Sequence, residues 1–160
     1  MEHDLKVGQR ASMRRTITEA DIVLFAAVTG DQNPMHTDEL AANESRFGRR
    51  IAHGMLAAGL ISAVLGMRLP GPGTVYLKQT LSFRKPIYIN DTVTTTVEVA
   101  SIRADKPIAT LTTTVTNQDG VVVVEGESLV YSDRCRSDDS APQSKPDAVP
   151  ELVLVPVSAD

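Results

Sequence analysis

The stretch from Gly54 to Leu69 constrains the fold more than any other part of the chain. Met55, Leu56, Leu60, Ile61, Val64, Leu65 and Met67 put apolar side chains on every side of a helix, with Ala57, Ala58, Gly59, Ala63 and Gly66 between them. A helix that is apolar all round has to be covered all round. Its small residues let the covering backbone come close. The cover follows at once: after Pro70-Gly71-Pro72-Gly73, residues 74–84, 92–103, 108–117 and 121–132 read as strands. Thr92-Val93-Thr94-Thr95-Thr96-Val97-Glu98-Val99 alternates over much of its length, and β-branched threonines favour a pleated surface. Asn90-Asp91, Ala104-Asp105-Lys106-Pro107 and Asn117-Gln118-Asp119-Gly120 carry turn chemistry. Links this short predict antiparallel neighbours. The expected class is α+β, an antiparallel β-sheet wrapped around a long central apolar helix.

Upstream, residues 9–17 suit a short edge strand. Thr18 is a good N-cap, and Asp21 three positions on suits the positive end of a helix. Ile22, Leu24, Phe25 and Val28 form the expected apolar face, and Gly30 stands where a left-handed terminator is wanted. Asp31-Gln32-Asn33-Pro34-Met35-His36 reads as a turn, because Pro34 holds Asn33 out of the helical region. Thr37 and Asp38 open a short helix that fades toward Gly48. At 160 residues the chain suits one domain, assigned to 1–132, with 133–160 a polar, Pro-containing tail, expected to be flexible, in which 152–155 could dock as a strand.

Charge and cysteine content exclude several classes. The net charge is −4, and the stretch from Asp133 onward holds six acids against three bases. No basic stripe argues for nucleic acid. The single cysteine, Cys135, cannot pair within the chain and lies in a polar stretch, which fits a reducing compartment. The N-terminus has no apolar signal core, and no run is long enough to span a bilayer. No membrane partner and a cytoplasmic location are the expectations.

A few residues carry chemistry. Asp31 and His36 lie on one Pro-containing turn, where a carboxylate beside an imidazole makes an acid/base pair for water. The same composition is also ordinary turn chemistry, with Asp and Asn accepting backbone N–H bonds. Gly54 offers a backbone N–H at a helix N-terminus, suited to a developing oxyanion, while the plainer reading ends a loop there and lets His53 cap or pack. Ser62, polar in an apolar helix, either bonds back to the main chain or orients a carboxylate. Arg49-Arg50 and Arg84-Lys85 are either phosphate contacts or solvated surface. His3, His36 and His53 lack ligand spacing, so no metal site is expected.

Taken together, Phe25-Ala26-Ala27-Val28-Thr29-Gly30-Asp31-Gln32-Asn33-Pro34-Met35-His36, Ile51-Ala52-His53-Gly54-Met55-Leu56 and Leu81-Ser82-Phe83-Arg84-Lys85-Pro86 resemble the MaoC-type dehydratases, specifically the (R)-specific enoyl-CoA hydratases, over about residues 5–132. The resemblance implies a hot-dog fold and a hydro-lyase. In that family's pattern Asp31 and His36 activate the water added at C3 of a trans-2-enoyl-CoA, giving the (R)-3-hydroxyacyl-CoA. The N–H of Gly54 matches the donor to the thioester oxygen. Asn33 would support the loop, Ser62 falls where a partner of the aspartate is found, and His53 belongs to the second block. The implied cofactor is none, since coenzyme A is part of the substrate, and the implied assembly is a homodimer. Asn90 replaces a glycine usual in similar proteins, which the turn tolerates because Asn accepts a positive φ. The rival expectations are a dehydratase acting on acyl-carrier-protein thioesters and a non-catalytic acyl-thioester-binding protein.

Overall fold

The computed structural model describes residues 4–135. In chain order it has β1 (Arg10–Thr16), α1 (Glu19–Thr29), α2 (Pro34–Thr37), α3 (Glu39–Glu44), α4 (Gly54–Met67), β2 (Val75–Phe83), β3 (Thr92–Ile102), β4 (Ile108–Thr116), β5 (Val122–Tyr131) and a closing 3₁₀ turn, Asp133–Cys135. The five strands form one sheet in the order β1-β3-β4-β5-β2, and every pairing is antiparallel. On β3 and β4 the alternation predicted from sequence appears as strict in-out burial: Val93, Thr95, Val97 and Val99, with Ala109, Leu111, Thr113 and Val115, are buried. With Val124 and Val130 of β5, their apolar members join Leu56, Ala57, Ile61, Val64 and Leu65 of α4 in one core. The sheet curls around α4.

Three expectations need correction. β2 does not neighbour β3, because it pairs with β5 at the far side of the sheet. The chain leaves the sheet at Arg84–Pro86 and bridges Tyr88 to Ile51 before the Asn90-Asp91 turn returns it as β3. Asn90 does take a positive φ, 71°.

In this single chain α4 is not covered on every side. One sheet wraps one side, and Met55 and Met67 stay 58% and 68% exposed, with Gly59 and Ser62 on the same uncovered face. On α1, Ile22 and Ala26 turn inward, whereas Leu24 and Val28 are exposed.

The capping signals hold. Thr18 and Asp21 form a reciprocal capping box, and Gly30 ends α1 in the left-handed region at φ 77°. At the other end Cys135 is buried in the core, and the N–H of Leu5 donates to the carbonyl of Arg134. The rest of the expected tail, residues 136–160 with its segment 152–155, lies outside the described residues. Among the described residues no helix is long and apolar enough to cross a membrane.

Candidate active site

The site begins where α1 stops. The N–H of Gly30 bonds back to the carbonyl of Ala26, and the chain then needs partners for the amides of a tight loop. Asp31 supplies one, its Oδ1 accepting the N–H of Asn33 at 3.2 Å. Asn33 supplies the next, its Oδ1 accepting the N–H of Met35 at 3.1 Å as the N-cap of α2. Pro34, with no N–H that would need an acceptor, starts that single helical turn, which carries His36. The plain turn reading of Asp31 and Asn33 is therefore true. It also leaves the second Asp31 carboxylate oxygen uncommitted to the loop. Asp31 is exposed and His36 buried.

A second segment, Ile51–His53, closes against this loop. The N–H of Ile51 donates to the carbonyl of Met35 at 3.2 Å, and the N–H of Ala52 to that of Ile87 at 2.7 Å. The two histidines then tie the segments together in opposite senses. His36 Nδ1 meets the carbonyl of Ile51 at 2.8 Å, and His53 Nε2 meets the carbonyl of Asp31 at 3.0 Å. A carbonyl only accepts, so the hydrogen sits on Nδ1 of His36 and on Nε2 of His53. In His36 that leaves Nε2 as the atom able to take a proton. The Asp31 carboxylate and the two rings bring ligand-capable atoms within 4.8 Å of one another, although sequence spacing gave no hint of such a cluster.

The two rings pack against each other, with centroids 3.9 Å apart and planes tilted by 31°.

Beside the histidines lies a cleft of about 340 Å³, walled by His36, His53, Gly54, Phe47, Phe83 and Val124, with Arg46, Arg84 and Lys85 at its lining. Gly54 opens α4, so its N–H has no acceptor within the helix, and the Phe83 ring stands close against its Cα. Asp31 is exposed and is not part of that lining.

The remaining candidates separate. Ser62 stays exposed on α4, and no hydrogen bond joins it to Asp31 in this chain. Arg50 is taken up by Glu19 at 2.7 Å and Glu39 at 2.9 Å, and Arg49 lies over the Tyr88 ring at 3.9 Å. Both secure the loop rather than face the cleft. Arg84 pairs with Glu125 at 2.6 Å, while Lys85 has no ion pair among the described residues. Sequence reasoning gave Arg46, Phe47 and Phe83 no role, and only Phe83 fell within a block that had been singled out.

With this geometry in view, comparison with known proteins places the chain. Residues 2–121 match the family described as "MaoC like domain". An (R)-specific enoyl-CoA hydratase of Rhodospirillum rubrum is 53% identical over 127 residues, covering 79% of this chain and 88% of the relative. One from Aeromonas caviae is 48% identical over 126 residues, covering 79% and 94%. The solved structure of an (R)-hydratase from A. caviae, described as involved in PHA biosynthesis, superimposes with a TM-score of 0.78 at 47% identity, covering 79% of this chain and 96% of that one. The architecture is the hot-dog fold. The chain belongs to the MaoC-like family.

Proposed function

We propose that this protein is a hydro-lyase that adds water to trans-2-enoyl-CoA and yields (R)-3-hydroxyacyl-CoA. The observation that carries the reading is the Asp31 carboxylate held within 4.8 Å of the His36 ring, at a cleft that also presents the start of α4. Relatives at 48–53% identity named for this reaction support its substrate and its stereochemistry.

The chemistry follows from what each group can do. Water is a poor nucleophile at neutral pH, so its attack on C3 needs a base within hydrogen-bond reach, worth about 10²–10⁴-fold. Asp31 and the free Nε2 of His36 orient the water, take up its proton and return one to C2. As the C3–O bond forms, electrons move onto the thioester oxygen. The N–H of Gly54, at the positive end of α4 and without a helical acceptor, meets that charge. No side chain at position 54 blocks the carbonyl. Arg46, Arg84 and Lys85 around the cleft suit the phosphates of coenzyme A.

The working form is a pair of copies of this chain. Asp31, Gly54, Met55, Gly59 and Ser62 are all exposed in one chain, so a second copy over α4 would cover both the apolar face and the open side of the site.

The test is the loss of conjugated-enoyl absorbance on mixing with crotonyl-CoA, with chiral analysis of the product. Rapid formation of the (R)-alcohol is expected, lost in His36→Ala. No turnover on the CoA thioester, with turnover on the crotonyl carrier-protein thioester, would replace this substrate with the carrier-bound one. Binding without turnover on either would leave a non-catalytic acyl-thioester protein.

A further inference from the structure

We infer that His53 is a positioning residue of this site: its Nε2–H holds the carbonyl of Asp31 and so fixes the Asp31 carboxylate against the start of α4. The inference rests on the hydratase reading, because Asp31 and Gly54 are there the two sides of the reaction.

His53 occupies the N-cap of α4 yet makes no side-chain cap bond to the helix. At such positions a short polar side chain normally turns inward to meet the free helical N–H groups. Here the imidazole is directed to another segment, and its Nε2 lies 3.0 Å from the Asp31 carbonyl. The residue immediately before the oxyanion donor is thus bonded to the residue that carries the base. The ring is 2% exposed and packs against His36 at 3.9 Å and Phe25 at 4.9 Å, so it has little freedom to swing.

The second observation is Nδ1. It is buried and has no hydrogen-bond partner, the one buried side-chain polar atom so left among the described residues. Buried polar atoms are nearly always satisfied. Leaving Nδ1 bare is what results when the ring is placed for its other nitrogen: only the Nε2–H tautomer can donate to Asp31, and that tautomer strips Nδ1 of its hydrogen.

Two measurements on the full chain decide the matter. The first is ¹⁵N NMR of the labelled imidazoles, which reads the tautomer whether or not the protein turns over substrate. Hydrogen on Nε2 and a bare Nδ1 are expected for His53, and the opposite tautomer would overturn the inference. If crotonyl-CoA is not hydrated, the functional reading falls while this measurement still decides the role of His53.

The second is a pair of substitutions. His53→Gln puts an amide N–H at the reach of Nε2, whereas His53→Phe keeps a flat ring and loses the donor. With folding checked by circular dichroism, the Gln variant should keep kcat within about threefold of wild type. The Phe variant should lose about 10²-fold in kcat with KM little changed, the scale expected for a misplaced reacting group. Full kcat in His53→Phe, or a Gln variant as poor as the Phe one, would overturn the inference.

Discussion

A methyl group on Gly54 would stand 2.9 Å from Cε1 of Phe83, closer than a Cβ packs against an unbonded atom. The neighbour is the face of a half-exposed ring rather than backbone, so it can give way. Folding should survive Gly54→Ala, with stability within about 1 kcal/mol of wild type, since alanine also suits a helix better than glycine. The cleft should not survive it. A displaced ring closes the space beside the Gly54 N–H, so kcat/KM on crotonyl-CoA should fall roughly 10²-fold. Urea titration and steady-state kinetics check both halves. Restoring activity in the double variant with Phe83→Leu would show that the collision, and not the Cβ itself, does the damage.

Asp31 and Asn33 do loop work and chemical work on the same few atoms, and substitution separates the two. Asp31→Asn keeps an Oδ1 to accept the N–H of Asn33, so stability should hardly change. It removes the carboxylate, and kcat should fall by about 10²–10⁴. Asn33→Ala does the reverse. It takes the cap from α2 and should lower stability by about 1 kcal/mol, and Asn33→Ser, which can still cap, should recover most of that. Melting curves beside kinetics would refute the division if Asp31→Asn unfolds the protein or keeps full turnover.

The helix that delivers Asp31 is pinned by a charge. Burial alone would push the Asp21 carboxyl up, but hydrogen bonds from the Thr18 N–H and hydroxyl and the ion pair with Arg15 outweigh it and hold the group below 3.8. A carboxyl whose folded value is depressed stabilises the fold above its unfolded value and loses that contribution as pH falls through the folded one. Wild type should therefore be more stable than Asp21→Asn at neutral pH. The gap should shrink once pH drops past 3.8. Equal stabilities at neutral pH by urea titration would refute it.

How much of this could be read beforehand depended on distance along the chain. The central helix, the strands from alternation, the Thr18–Asp21 box and the left-handed Gly30 are local patterns, and they stood. Strand order is not local. Nothing in residues 74–84 says that they pair with 122–131 rather than with the strand that follows. One signal was present and went unused: Gly126 interrupts an alternating strand, a mark of close backbone approach. A Cβ there would fall 1.8 Å from the carbonyl of Thr80 on β2. Asp31 and His36 shared a turn and were found. The tie between His53 and Asp31 crosses from the start of α4 to the end of α1, and only packing brings those ends together.

The uncovered side of α4 sets the last prediction. Met55 and Met67 on that helix, and Val75 and Leu77 on edge strand β2, are each at least 44% exposed. A strand edge also offers unpaired backbone groups to another chain. A stable pair buries on the order of 800 Å² on each partner, and the combined helix and strand faces are the apolar surface available for it. Light scattering should give twice the chain mass for the wild type. Met67 and Leu77 are both exposed and neither lines the cleft beside His36, so Met67→Glu and Leu77→Lys leave the chemistry of their own chain untouched. Each should shift the mass toward one chain while circular dichroism stays unchanged. If the open side of the site is completed by the second copy, activity should fall in parallel with the loss of dimer and recover at high protein concentration. A monomeric wild type with full turnover would refute the pairing and return the exposed face of α4 to some other purpose.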